Sequence, residues 1–178
     1  MAADPVQTPK RGRLTIRDGI TGGVVAGTAF ILAEMFFSHM LGKPFLSPLR
    51  LISTIVLGRP AAMPGYQAIP SSLVVGFVIH YLLSILFGII TTSIAVLLGR
   101  RAALGRGWTF LILGVLGGLV IWVVDFYAIA PALFPQFGMV NPFWNAFVAH
   151  VIFGFVLGLY LTTRMQDFLM RDDRAPSI

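Results

Sequence analysis

Four long apolar runs divide this sequence, and each is long enough to cross a bilayer. They are Gly19 to Leu41, roughly Ser71 to Leu98, roughly Trp108 to Ala130, and Pro142 to Thr163. About 20 mostly apolar residues suffice to cross the hydrocarbon core as a helix. Only 11% of the chain is charged, against about 25% in a soluble domain. The expected fold class is therefore all-α, an integral membrane four-helix bundle. The joint "GRRAALGRG" is short, so the second and third spans form a tight antiparallel pair. Trp108, Tyr127, Trp144 and Tyr160 stand near span ends, where interfacial aromatics gather.

The basic residues set an orientation. Lys10, Arg11, Arg13 and Arg17 precede the first span, Arg100, Arg101 and Arg106 join the second to the third, and Arg164, Arg171 and Arg174 follow the fourth. Only Lys43, Arg50 and Arg59 fall on the other side, so both termini are expected in the cytoplasm. The net charge of +6 is then a topology signal whose partner is the anionic lipid bilayer, not nucleic acid. The expected organisation is a basic cytoplasmic tail (1–18), one transmembrane domain (19–163) and a second cytoplasmic tail (164–178). The first outer joint holds an apolar stretch, "PFLSPLRLISTIVLG", too short to span. It is expected as an extra helix lying at the outer interface, within an insertion over about 43–63.

The spans echo one another. Gly23, Gly27 and Glu34 have the same spacing as Gly114, Gly118 and Asp125. His80 is followed eight residues on by Gly88, and His150 by Gly158, each histidine inside an FVxH motif. The chain thus reads as two parallel two-helix repeats, about 19–98 and about 108–163, related by an axis along the membrane normal. The four glycines Gly23, Gly27, Gly114 and Gly118 are expected at helix-packing contacts.

Glu34, His80, Asp125 and His150 are the ionisable groups deep within the spans, with His39 near the outer end of the first. At 1.5 Å per residue, Glu34, His80 and His150 lie roughly 10 to 14 Å below the outer surface. Asp125 comes out shallower unless the third span runs on toward Pro131. Each shares a helical stripe with small or polar residues, and that stripe is expected to face the bundle interior, because a charge toward lipid is costly. One cluster of two carboxylates and two imidazoles follows.

Three readings of the cluster are open. In the first, Glu34 and Asp125 each hydrogen-bond a histidine and lock the hairpins together, in a non-catalytic structural or accessory subunit. Its partners would be other membrane-complex subunits or further copies of the chain. In the second, the cluster binds a cofactor: one metal ion on Glu34, His80, Asp125 and His150, or one haem b between His80 and His150. In the third, it carries protons or metal ions in a small transporter. The chain has no cysteine, which excludes disulfides, thiolate sites and c-type haem. It has no Ser/His/Asp triad, phosphate loop or HExxH, so an enzyme is expected only if the cluster is itself the site.

The stretches "GGVVAGTAF", "VVGFVIHYLLSILFGI" and "AFVAHVIFGFVLGLY" resemble those of a group of small bacterial four-span inner-membrane proteins. The resemblance covers most of the spans but not the outer insertion or the tails. It implies a fold and a bacterial inner membrane, and no activity. The architecture is also similar to that of four-helix b-type cytochromes. Those place haem ligands at two depths, and this chain supplies one.

Overall fold

A computed structural model describes residues 14–99, 106–140 and 143–172. The basic residues Lys10, Arg11, Arg13, Arg100, Arg101 and Arg174 lie outside them. The described residues are helical, with no strand among them. Four helices are long and apolar enough to cross a membrane. They are α1 (Ile16–Met40), α3 (Ile69–Gly99), α4 (Arg106–Val124) with its continuation, and α7 (Phe143–Asp172). Between α1 and α3 lie α2 (Ser47–Leu57) and a 3-10 turn, Arg59–Ala62.

The third long helix does not stop where the apolar run weakens. α4 passes through a π turn, Asp125–Ile129, into α5 (Ala130–Leu133), and α6 (Gln136–Val140) follows. The Ala130 N–H reaches back to Asp125 O, five residues earlier. Pro131 accounts for the wide turn. It has no N–H to give the Tyr127 carbonyl, and in a regular helix its ring would crowd that carbonyl. Widening the preceding turn by one residue relieves the clash without ending the helix. Asp125 thereby lies inside a continuous helix rather than close to its end.

α1 packs on α3 and on α7, and α4 packs on α7. The seam between α3 and α4 is the slightest of the four and closes the ring, so α3 and α7 stand diagonally opposite. Small residues set every seam. A side chain on Gly23 would meet the Ser84 carbonyl, and one on Gly27 the Ser84 side chain. Gly114 rests on the Gly154 carbonyl, and Gly118 on the His150 carbonyl. Gly22 turns toward Leu157 and Tyr160 of α7, and Gly117 toward Thr91 of α3. Between the helices lies a core of Ala26, Ala95, Phe110, Phe153, Leu157 and Leu161. Outward, the bundle presents Leu32, Phe36, Val74, Leu82, Ile94, Leu116, Val120 and Leu159, all exposed.

One end of the bundle is fastened by Asp18. Its carboxylate accepts the Thr15 N–H and hydroxyl, at 2.8 Å each, as a cap on α1. It also accepts the Arg164 Nε–H of α7 at 3.1 Å.

The glycine contacts make a sharp prediction. Gly-to-Ala on an open helix raises helix propensity by about 1 kcal/mol. At Gly114 the added methyl would strike the Gly154 backbone, and overpacking of this kind costs about 1–3 kcal/mol. Gly114→Ala should therefore unfold earlier in a detergent denaturation titration. Gly138→Ala, where the methyl meets nothing, should be neutral or slightly stabilising. Equal behaviour of the two would contradict the packing described.

Candidate functional site

Glu34 of α1, His80 of α3, Asp125 at the π turn and His150 of α7 line one cavity of about 260 Å³. They come from four different long helices. Ser84 adds a hydroxyl to the wall, and among the described residues no Lys or Arg lines it. The remaining lining is apolar and rich in phenylalanine, including Phe30, Phe87, Phe126 and Phe153. His39 is exposed and does not reach the cavity.

The cavity has a roof. Leu51, Ile52 and Ile55 of α2 cover it from one side, and Phe137 of α6 with Phe134 just before that helix from the other. A buried bond joins the two halves: Gln136 Nε2–H donates to Thr54 Oγ1 at 3.1 Å. Thr54 in turn donates to Leu51 O at 2.6 Å, so the acceptor is oriented. α2 is held down where Gly76 of α3 admits the Leu49 carbonyl. Arg50 ties the following turn by donating to Ala61 O and Met63 O.

The two histidines, both buried, are held differently. His80 Nε2 lies 2.8 Å from Gly27 O and 3.4 Å from Ser84 Oγ. A carbonyl only accepts, so His80 carries its proton on Nε2. His150 Nδ1 lies 2.7 Å from Ala146 O, one turn back on its own helix. By the same argument His150 carries a proton on Nδ1. In the neutral ring its Nε2 is then a lone pair, and that lone pair faces Asp125 Oδ2 at 3.6 Å. Two acceptors face each other unless a proton joins them. Asp125 and His150 attract only when a proton is added to the pair. Asp125 is the open member, with its side chain 27% exposed against 8% for His150.

Phe30 couples the two imidazoles. Its ring stacks on His80 at 5.6 Å between centroids and meets His150 edge-on at 4.9 Å. Phe126 approaches His150 from α4's continuation at 6.1 Å. Among the described residues, no three His, Asp or Glu side chains converge closely enough to hold a metal ion.

Sequence reasoning brought Glu34, His80, Asp125 and His150 to one region but missed what surrounds them. Phe30 gave no signal, being one phenylalanine among fifteen. Gln136 and Thr54 are 82 residues apart, and nothing local links them. Asp18 did carry a signal. Thr15-x-x-Asp18 is a capping box, and a residue so used is part of the fold rather than of a solvated tail.

Comparison with known proteins gives no match: no family model fits the chain, and no curated protein or solved structure is detectably similar to it.

The site predicts a specific coupling. In a double-mutant cycle of unfolding free energies, Asp125→Asn and His150→Gln should be non-additive by about 0.5–3 kcal/mol, the range for residues in contact. Asp18→Asn, at the far end of the bundle, combined with His150→Gln should be additive within about 0.5 kcal/mol. Additivity of the first pair would remove the proposed contact.

Proposed function

We propose that this is a non-catalytic, multi-pass membrane protein that holds a small ligand inside its helix bundle, as an accessory component of the bacterial inner membrane. The observation that carries this reading is the cavity, with one ionisable residue from each of four long helices on a wall that is otherwise apolar apart from Ser84. A concave apolar site with a few convergent polar groups is the usual form of a small-molecule site.

Membrane insertion is supported by the four apolar helices and by the exposed aliphatic surface around them. Water would penalise that surface and lipid would not. The basic residues support cytoplasmic termini. Two parallel hairpin repeats are supported by matched contacts: Gly23 lies over the carbonyl of Ser84, and Gly114 over that of Gly154. Each carbonyl belongs to the residue four places after the histidine.

A purely structural lock has one observation in its favour, the Asp125–His150 pair. It explains neither the cavity beside the pair nor the roof above it. The metal reading asks for three or four convergent ligands. The haem reading asks two imidazoles to face a common iron, and Phe30 lies against both rings. A transporter would need polar groups continuing to the cytoplasmic side, and the cavity's polar wall ends at Ser84.

Because the chain has no cysteine, single cysteines report topology cleanly. Gln67→Cys should react with a membrane-impermeant maleimide on intact cells, and Ala103→Cys only after permeabilisation. Reaction of both on intact cells would contradict the insertion proposed. Ligand binding is tested with neutral neopentylbenzene. It should raise the melting temperature of the detergent-purified protein, and Ile55→Trp, which fills the cavity from the roof, should remove that rise. No rise in the unaltered protein would sink the ligand reading.

A further inference from the structure

Charge and shape together narrow the ligand. The lining holds two carboxylates, Glu34 and Asp125, and two imidazoles, with no Lys or Arg among the described residues. His80 is committed to the Gly27 carbonyl through Nε2. The roof adds no titratable group, since the cavity-facing residues of α2 and of α5 and α6 are apolar and Arg50 is turned to the Ala61 and Met63 carbonyls. The groups that face Asp125 from the surrounding elements are thus Glu34 from α1, His80 from α3 and His150 from α7.

The Asp125–His150 pair has two balanced states. With a proton on His150 Nε2 it is an imidazolium–carboxylate pair of zero net charge. Without that proton, a neutral imidazole lone pair and a carboxylate oxygen stand 3.6 Å apart, both acceptors, with net charge −1. In a low-dielectric cavity the second state calls for a compensating positive charge. Strongly hydrated ions are poorly served by a wall of phenyl rings, but an apolar cation is well served. Ring faces attract organic cations such as quaternary ammonium, and the attraction grows when water is excluded.

We propose that the cavity binds an apolar organic monocation, its charge seated beside Asp125, in exchange for the proton that Asp125 and His150 hold between them. One cation enters and one proton leaves, so the charge of the site is unchanged. This rests on the ligand-binding reading above and adds the class of ligand.

The test uses two probes of the same shape, benzyltrimethylammonium and its neutral carbon analogue neopentylbenzene, with the full chain in detergent. Calorimetry in buffers of different ionisation enthalpy counts the protons released. The expected result is that the cation binds at least tenfold more tightly than the neutral analogue and releases about one proton per cation bound. Asp125→Asn should weaken cation binding at least tenfold and abolish proton release. Its helical circular dichroism and a cooperative melting transition in detergent show that the variant is folded. Equal or tighter binding of the neutral analogue would overturn the cation assignment while the ligand-binding cavity stands. Binding of neither probe would overturn both. Cation binding without proton release would overturn the exchange.

Discussion

The close approach of backbones at glycine is the constraint on which the rest of this structure depends. For helices placed in lipid, as proposed for this chain, there is no hydrophobic gain, so association rests on packing and on interhelical hydrogen bonds. Gly23 and Gly27 let α1 settle against Ser84 of α3, and Gly114 and Gly118 let α4 settle against α7. The same contacts place the polar groups. With α1 this close, the Gly27 carbonyl comes within 2.8 Å of His80 Nε2. With α4 this close, Gly118 rests on the backbone of His150, and Asp125, two turns further along, comes level with the imidazole. The glycines are therefore part of the site's geometry as well as of the fold.

Helices α3 and α7 place similar residues in dissimilar surroundings. Four residues after each histidine stand Ser84 on α3 and Gly154 on α7. Ser84 fills the space beside Gly27 and meets His80, which a backbone carbonyl also anchors. Gly154 leaves room for α4, and His150 instead turns one nitrogen back to its own helix and the other to a carboxylate. His80 is thus a fixed wall of the cavity, and His150 keeps one ring nitrogen turned to a carboxylate.

Much of this was legible in the sequence because it is periodic. Apolar runs gave the four long helices, and the stripes through Gly23, Gly27 and Glu34 and through Gly114, Gly118 and Asp125 gave the inward faces. What was not legible depends on contacts between distant residues. The roof needs Gln136 to find Thr54, and the far end needs Arg164 to find Asp18, 146 residues away. The continuation of α4 beyond Ala130 was hidden for a different reason. A proline ordinarily marks a helix end, and here a π turn absorbs it. That turn carries the helix on past Asp125, so the carboxylate stands within the helix and not at its end.

The central claim is that close backbone contacts at glycine set Asp125 against the Nε2 of His150 inside the bundle. It is tested most directly by the nitrogen-15 chemical shifts of the His150 ring in detergent. The unaltered ring should carry a proton on Nδ1, where the Ala146 carbonyl accepts it, and the Nε2 shift should change in Asp125→Asn. A ring protonated on Nε2 alone, or an Nε2 shift that Asp125→Asn leaves unchanged, would contradict the account.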